Sequence, residues 1–450
     1  MEKRILISDI KNHIGETITI NGFVDLRRDH GKIVFIDLRD RSAKVQIVVS
    51  ERNTDAYGVL SGVKPEWVLS VTGVIKKRGE KTINPNVFNG DLEMEATSGE
   101  IFQMAEELPF EKEQEITLET YLNYLPLTLR TDRARAIFRI QARITDAFGG
   151  FLRENGFTEI QVPKIIGEDA EGGANVFNLD YFGHIAHLAQ SPQFYKQIMV
   201  GVFERVFCAG NVYRAEPHST TRHLNEYTSL DFEMGFIKSH EDIMEMETRM
   251  MEYIMADLKK NCAEDFKTLN AVLPDVPEKI PAMKLREIQE LIKKETGEDC
   301  CNAPDLEPKH ERWLYDYALK NFGSEFIFVT HFPISKRPMY TYEDENDPGY
   351  AKGFDLLFRG IEITTGGQRI HDYNKLVESM EKKGLDPKKF SYYLQAFKYG
   401  MPPHGGLGLG LERLTAKLVG VENIREATLF PRDMHRIDTL LSEEKKEKKD

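Results

Sequence analysis

Residues 203 to 236 read FERVFCAGNVYRAEPHSTTRHLNEYTSLDFEMGF, with two apolar runs on either side of a charged loop. This order predicts a strand, a loop and a second strand. Alternation along the runs places Arg214, Asp231 and Glu233 on one sheet face, where a protein tolerates charges only if they are paired or used. A fully solvated hairpin is the alternative, and the apolar flanks disfavour it.

Residues 406 to 414, GLGLGLERL, place glycine at every second position. Glycines in such a run let the backbone approach a ligand or another strand closely, and the run leads into a predicted helix at Glu412 and Arg413. The segment does not match GxxxxGKS or GxxxxGKT, so it is not the phosphate-binding loop of the common ATPases. A glycine-rich loop alone is weak evidence for nucleotide binding.

Residues 353 to 372 read GFDLLFRGIEITTGGQRIHD. Asp355 and Glu362 lie on neighbouring strand-like runs, and such a carboxylate pair suits Mg²⁺ that also contacts substrate phosphates. Arg369 follows a tight turn predicted at Gly366-Gly367. Its guanidinium fork matches a carboxylate bidentately, which a lysine cannot do.

The N-terminal part of the chain has the pattern of a small β-barrel. Apolar and polar residues alternate around Ile18 and Ile20, and further strands are predicted at 33–40, 44–49, 67–75 and 92–95. Closing these strands into a five-stranded barrel removes the sheet edges, as in an OB-fold, whose exposed face binds oligonucleotides. The predicted limits are 1–105 for this domain, 106–125 for a charged linker, 126–438 for a second domain and 439–450 for a charged tail.

Helical periodicity marks the second domain. A long helix is predicted from a capping signal at Thr131 to Gly156, followed by a strand in FTEIQVPKII, residues 157 to 166. Another helix begins at Ser239 with a capping box, and its methionine stripe is typical of a core. Residues 262 to 325 have helical periodicity without recognisable chemistry, which indicates an insertion.

The bulk composition excludes several functional classes. The chain has 450 residues, 41% of them hydrophobic, and a formal net charge of −13, which argues against indiscriminate binding of nucleic acid. The four cysteines have no CxxC spacing, so we expect reduced thiols in a cytoplasmic protein. The sequence has neither the apolar run of a signal peptide nor an apolar stretch long enough to span a membrane, so no membrane partner is expected.

Three motifs in order resemble those of class II aminoacyl-tRNA synthetases. They are the helix from Thr131 with its strand ending near Pro163, the loop YRAEPHSTTRHLNE at 213 to 226, and GLGLGLERL. With the N-terminal OB-fold, residues 1 to about 435 resemble aspartyl-tRNA synthetases of the archaeal and eukaryotic type. The resemblance implies an α+β fold, in which an OB-fold β-barrel precedes a class II catalytic domain, an antiparallel sheet flanked by helices.

The resemblance also implies substrates, a metal and site residues. ATP and L-aspartate would bind on the sheet with Mg²⁺, and the first motif would form a homodimer. Arg214 and Arg413 would be catalytic, holding the α- and γ-phosphates. Glu216 would contact the adenine amino group, and Arg222 and His223 the outer phosphates. Mg²⁺ would be held by Asp355, Glu362 and Thr365, with Glu362 also beside ATP. Glu171 and Asp231 would bind the substrate ammonium, and Gln193, Lys196 and Arg369 its side-chain carboxylate.

The choice of amino acid follows from two of these positions. Asparagine in place of aspartate would leave Lys196 and Arg369 as unpaired buried cations, and such a mismatch discriminates strongly. Asparaginyl-tRNA synthetases resemble the chain but lack the lysine at the position of Lys196. An asparagine-forming amidoligase would share the pocket and lack the OB-fold, and a non-catalytic RNA-binding paralogue would be expected to lose Arg214, Glu362 or Arg413.

The OB-fold face resembles the family's anticodon reader. Phe35 would stack on the middle anticodon base of tRNA-Asp, although an isolated phenylalanine can equally be a core residue. In having histidine at position 30, the chain resembles enzymes that also accept tRNA-Asn and then need an amidotransferase partner. A neutral surface substitution is the alternative interpretation of His30. The matching positions that would contact anticodon bases are Arg28, His30, Phe35, Gln46 and Glu93.

Overall fold

The computed structural model describes residues 4–85, 87–110, 114–168, 175–218 and 220–441. The predicted ammonium ligand Glu171 and residues 442 to 450 of the charged tail lie outside them. The chain forms two compact units, Met1–Ile116 and Thr117–Asp450. The division falls within the predicted linker, 106–125.

The first unit is a closed barrel in the strand order β1-β2-β3-β5-β4. Its inner face carries fully buried aliphatic side chains such as Ile20, Ile36 and Ile47, so the alternation in the sequence corresponds to inward and outward positions. The barrel confirms the predicted OB-fold. Its elements are β1 (Thr17–Asp29), β2 (Ile33–Arg39), β3 (Lys44–Ser50), helix α1 (Thr54–Leu60), β4 (Val68–Lys77) and β5 (Leu92–Gln103), with 3-10 helices at Ile7–His13 and Glu80–Thr82.

The second unit contains a large, mostly antiparallel sheet and a smaller three-stranded sheet. The large sheet has the order β12-β13-β14-β15-β16-β11-β10-β6, and the small one β7-β9-β8. The strands are β6 (Thr158–Glu159), β7 (Ile165–Ile166), β8 (Asn178–Tyr181), β9 (His184–Leu188), β10 (Arg205–Tyr213), β11 (Glu226–Gly235), β12 (Ala282–Lys284), β13 (Phe326–Thr330), β14 (Gly353–Phe358), β15 (Ile361–Arg369) and β16 (His404–Gly410).

Helices flank the large sheet. The α-helices are α2 (Leu118–Asn123), α3 (Leu125–Thr128), α4 (Asp132–Glu154), α5 (Gln193–Phe203), α6 (His240–Asn261), α7 (Ala263–Thr268), α8 (Leu285–Thr296), α9 (Pro308–Phe322), α10 (Tyr373–Lys382), α11 (Ser391–Lys398) and α12 (Leu411–Val419), with 3-10 helices at Ile334–Lys336, Pro387–Phe390 and Ile424–Ala427. Among the described residues, none of the helices combines the length and the hydrophobicity that a membrane span requires.

The two long helices begin as their capping signals predict. The Thr131 side chain accepts a hydrogen bond from the backbone of Ala134 at the start of α4, and Ser239 forms a capping box with Asp242 at the start of α6. Both helices contribute to the main core behind the sheet, where Met250 is fully buried. The methionine stripe is therefore core.

Two local predictions were wrong. The segment 157–166 forms two short strands, β6 and β7, separated around Pro163, which has no N–H for a ladder. Gly366 and Gly367 are not a turn but lie inside β15. A Cβ on Gly366 would lie 2.4 Å from the Phe354 ring, so glycine is required there for packing between strands.

Residues 262 to 325 form helices α7 to α9 and strand β12, which pairs in parallel with β13 at the edge of the large sheet. Leu314 and Ala318 of α9 are fully buried in a cluster with Ile327 and Val329 of β13. The predicted insertion is thus packed onto the sheet and extends it by one strand.

Candidate active site

A cleft of about 460 Å³ lies over the central strands of the large sheet, a volume typical of small-ligand sites. Its lining brings together the predicted site residues of the second unit that the structure describes, from three strands, two helices and the 214 to 226 loop. These are Gln193, Lys196, Arg214, Glu216, Arg222, His223, Asp231, Asp355, Glu362, Thr365, Arg369 and Arg413.

One end of the cleft holds a buried cluster of two cations and two carboxylates. The Lys196 ammonium on α5 donates to Asp231 Oδ2 at 2.9 Å and lies 3.3 Å from Glu233 Oε2. The Arg369 Nε donates to Glu233 Oε1 at 2.9 Å. The side chains of these four residues are at most 7% exposed, so the charges on β11 are paired, as the sequence requires.

This pairing corrects the predicted basis of amino-acid choice. Lys196 and Arg369 are not waiting unpaired, because Asp231 and Glu233 already neutralise them. Burial tends to raise the pKa of Glu233, but Arg369 and Lys196 outweigh it and hold the pKa below its usual value. The two cations and two carboxylates of the cluster therefore balance each other in charge.

The glycine-rich strand β16 completes the cluster with its backbone. Lys196 Nζ donates to the Leu407 carbonyl and Arg369 to the Gly406 carbonyl, each at 2.9 Å. A Cβ on Gly406 would lie 2.3 Å from Glu233 Oε2 and 2.1 Å from the Phe232 carbonyl. Glycine is therefore required because another strand and a buried carboxylate approach it.

Gln193 provides a further polar group at this end. It is the first residue of α5 and almost fully buried, and its side-chain Nε2 lacks a hydrogen-bond partner among the described residues. A buried donor without a partner is unfavourable, so its place in the cleft lining fits a ligand that supplies the acceptor.

The 214 to 226 loop borders the other end of the cleft. Asn225 holds the two sides of the loop together, because its Nδ2 donates to the carbonyls of Arg214 and Glu216 at 2.7 and 3.2 Å. The Arg214 guanidinium lies over the Tyr227 ring and 3.7 Å from Glu216 Oε1. Burial lowers the pKa of His223, against the raising effect of Glu216, so its imidazole is mainly neutral at pH 7.

Carboxylates and arginines alternate along the remaining wall. Arg413, near the start of α12, donates to the Glu362 backbone carbonyl at 3.1 Å, and its Nη1 lies 3.6 Å from the Glu362 carboxylate. The Thr365 hydroxyl donates to Glu362 Oε1 at 2.9 Å. The Thr228 backbone N–H donates a bifurcated hydrogen bond to both carboxylate oxygens of Glu412, at 3.0 and 3.1 Å, which ties α12 to β11.

The neighbouring carboxylate, Asp355, fits a cation. Arg337 donates to its Oδ2 at 3.0 Å, whereas Oδ1 is buried and has no hydrogen-bond partner among the described residues. Burial raises the pKa of Asp355, Arg337 opposes this and Glu362 adds to it. An unpartnered carboxylate oxygen beside Glu362 and the Thr365 hydroxyl is a donor set suited to Mg²⁺.

Comparisons with known proteins identify the family. A family model described as class II tRNA synthetases (D, K and N) matches residues 117–434, and a model of an OB-fold nucleic acid binding domain matches residues 18–102. The chain belongs to the class II aminoacyl-tRNA synthetases.

Similar proteins narrow the group within that family. An aspartate–tRNA(Asp/Asn) ligase from Deinococcus radiodurans is 45% identical over 97% of this chain and 98% of its own. One of the same name from Thermus thermophilus is 44% identical over 96% and 99%. A solved asparaginyl-tRNA synthetase from Pyrococcus horikoshii, with asparaginyl-adenylate, matches 97% of this chain and 100% of its own with TM-score 0.89 and 28% identity. The class II fold alone therefore does not decide the amino acid.

The predicted anticodon residues share the outer face of the synthetase's barrel. Phe35 points outward between inward Val34 and Ile36, so the alternative that it is a core residue is wrong. The His30 ring meets it edge-on at 5.5 Å. Gln46 accepts from Arg28 at 3.3 Å. Through its Nε2 it also donates to Glu93 at 3.2 Å.

Several residues of this site are not evident from the sequence. The alternation predicts that Glu233 is paired or used but indicates no role for it, and no pattern singles out Arg337 and Asp305, which both line the cleft. Arg337 carries no local signal, because its partner Asp355 is known only once the strands are arranged. Asp305 belongs to the insertion, which had no recognisable chemistry.

We expect Gly406→Ala to lower the free energy of unfolding by about 1–3 kcal/mol, because the methyl group overpacks against Phe232 and Glu233. Urea unfolding followed by circular dichroism measures this. Gly58→Ala in α1 is the control, since a Cβ there meets no atom within 4 Å. Unchanged stability of Gly406→Ala would show that the strands can separate without cost.

Proposed function

We propose that this protein is an aspartate–tRNA ligase, which activates L-aspartate with ATP and esterifies it to the 3′ end of tRNA-Asp. One observation carries the proposal: Lys196 and Arg369 lie in the same cleft as Arg214, Glu362 and Arg413. An acidic amino acid and a triphosphate can thus be bound on one sheet. The aspartate–tRNA(Asp/Asn) ligases that cover nearly the whole chain support it.

The buried cluster is proposed to select aspartate. The substrate's side-chain carboxylate accepts hydrogen bonds from Lys196, Arg369 and Gln193, while Asp231 and Glu171 take its ammonium group. Asparagine offers one acceptor and an amide N–H₂, which would face the donors of these side chains. An N–H directed at another N–H leaves buried donors unsatisfied, which is the kind of mismatch that discriminates substrates most strongly.

ATP is proposed to bind on the opposite wall. Arg214 holds the α-phosphate, Glu216 accepts from the adenine amino group, Arg222 and His223 contact the outer phosphates, and Arg413 the γ-phosphate. Mg²⁺ would be held by Asp355, Glu362 and Thr365. When bound, it offsets negative charge on the phosphates.

The chemistry then needs no protein nucleophile. The α-carboxylate of aspartate attacks the α-phosphorus in line, and the P–O bond to pyrophosphate breaks. Arg214 stabilises the negative charge that develops on the α-phosphoryl oxygens, and the buried cluster fixes the attacking substrate, so catalysis is mainly positioning and electrostatics. In the second step, the 3′-terminal ribose hydroxyl of the tRNA attacks the acyl carbon and AMP leaves.

We expect Arg369→Leu to abolish aspartate-dependent pyrophosphate exchange, because it removes donors to the side-chain carboxylate and weakens the pairing of Glu233. The control is Arg39→Leu, which breaks a comparably buried pair with Glu66 in the barrel, outside the cleft lining. Both variants are compared by thermal melting to exclude unfolding.

Exchange with asparagine as substrate separates the nearest alternative. An asparaginyl enzyme would exchange pyrophosphate with asparagine and not with aspartate. An amidoligase would consume aspartate without charging purified tRNA. Unchanged aspartate exchange in a folded Arg369→Leu protein would contradict the pocket assignment.

The barrel face is proposed to read the anticodon, with Phe35 stacking on the middle base and Arg28, Gln46 and Glu93 contacting base edges. We further propose that tRNA-Asn is also charged. His30 supports this, since it contacts the stacking residue Phe35, as do the two relatives named for both tRNAs. Aspartyl-tRNA-Asn would need an amidotransferase partner to become asparaginyl-tRNA.

Charging transcripts of tRNA-Asp and tRNA-Asn tests the range. We expect aspartylation of both. His30→Leu should lower kcat/KM for tRNA-Asn, relative to kcat/KM for tRNA-Asp, at least about tenfold, because the loss of ~1.4 kcal/mol of anticodon contact corresponds to that factor. Lys32→Leu, a nearby exposed position, is the control. Failure of the unmodified protein to aspartylate tRNA-Asn would rule out the broader range.

A cytoplasmic homodimer is the proposed form. The four cysteines are free, as expected in a reducing compartment. The first motif, α4 with the strands that follow it, supports dimerisation through the family resemblance. Sedimentation at micromolar concentration should give twice the chain mass of 51.8 kDa, and a monomer would contradict the dimer.

A further inference from the structure

A bidentate ion pair joins the cleft to the inserted region. Arg222 Nη1 donates to Glu311 Oε2 at 2.5 Å, and Nη2 donates to Oε1 at 3.1 Å. Arg222 belongs to the 214 to 226 loop, whereas Glu311 lies 89 positions later in the first turn of α9. Two parallel charge-assisted bonds fix both the position and the plane of a guanidinium.

The two partners differ in exposure and in the structure that carries them. Arg222 lines the cleft, whereas the Glu311 side chain is 8% exposed and lies outside the lining. Glu311 lies on a helix that packs onto the sheet, since Leu314 and Ala318 of the same helix are buried against it. The loop residues 214 to 218 have no regular secondary structure. We therefore infer that the Glu311 carboxylate positions the Arg222 guanidinium and not the reverse.

The bonds leave Arg222 able to bind a ligand. A guanidinium has five N–H donors, and Glu311 engages two of them. Burial tends to lower the pKa of Arg222, but the Glu311 carboxylate outweighs it and keeps the pKa above its usual value. Orienting an arginine before the ligand arrives reduces the side-chain entropy lost on binding.

We propose that Glu311 is a positioning residue, which holds the Arg222 guanidinium at the phosphate end of the cleft for ATP. This inference rests on the proposed role of Arg222 in binding the outer phosphates. It gives Glu311, which lies in the inserted region and outside the cleft lining, a part in the reaction without contact with substrate.

Glu311→Gln keeps the shape of the side chain and removes its charge. We expect KM for ATP in aspartate-dependent pyrophosphate exchange to rise about tenfold, the effect of weakening one charge-assisted bidentate pair. KM for aspartate should stay unchanged, and kcat should fall much less than kcat/KM for ATP. Glu311→Asp, which retains the charge, should restore part of the ATP affinity and carries the test if the glutamine variant does not fold.

Glu325→Gln is the matched control. Glu325 forms a similar bidentate pair with Arg359, at 2.6 and 3.3 Å, on the same region but outside the cleft lining. Its loss should change thermal stability and leave KM for ATP as it is. If Glu311→Gln behaves like Glu325→Gln, the pair is merely structural and the inference is wrong.

Arg222→Ala distinguishes this failure from that of the proposed function. An unchanged KM for ATP in Arg222→Ala refutes the ATP role of Arg222 and the inference with it. A raised KM in Arg222→Ala together with an unchanged one in Glu311→Gln refutes the inference alone. In the double variant, KM for ATP should equal that of Arg222→Ala, because Glu311 acts only through Arg222.

Discussion

Two cations and two carboxylates lie together at one end of the cleft with almost no exposure to water. A buried charge is tolerated only when it is paired and hydrogen-bonded, and removal of one partner from such a pair costs about 3–5 kcal/mol. The Lys196, Asp231, Glu233 and Arg369 cluster therefore constrains every element that carries it. Helix α5, strands β11 and β15, and the carbonyls of β16 must meet within hydrogen-bond distance.

The glycine pattern follows from this constraint. Strand β16 lies between β15 and β11, and its carbonyls complete the bonds of the two cations. A side chain at Gly406 would displace the Glu233 carboxylate, and one at Gly408 would come within 3.1 Å of Asp231 Oδ2. The alternation of glycine and leucine thus places small residues under the charges and large ones in the core behind the sheet.

Local patterns were enough for much of the fold. Capping at Thr131 and Ser239, and alternation around Ile20, depend on neighbours within a few residues, so the sequence shows them directly. The ion partners of the cleft depend on strand order instead. Nothing near Arg337 indicates Asp355, and nothing in the loop indicates Glu311. The methionine stripe of α6 likewise does not indicate that Glu247 is fully buried, where burial raises the pKa of its carboxyl to about 8.

A protein carboxylate forms an ion pair with each arginine of the cleft described above and with its buried lysine. The pairs are Lys196 with Asp231, Arg369 with Glu233, Arg413 with Glu362, Arg337 with Asp355, Arg222 with Glu311 and, more loosely, Arg214 with Glu216. On the proposed assignment, this pairing accounts for how a chain with a net charge of −13 would bind a triphosphate. The carboxylates orient the cations and cancel their mutual repulsion, so the cleft needs no excess of positive charge. The proposed anionic substrates would then be recognised by local hydrogen-bond geometry, which is more selective than a diffuse cationic field because it distinguishes a carboxylate from an amide.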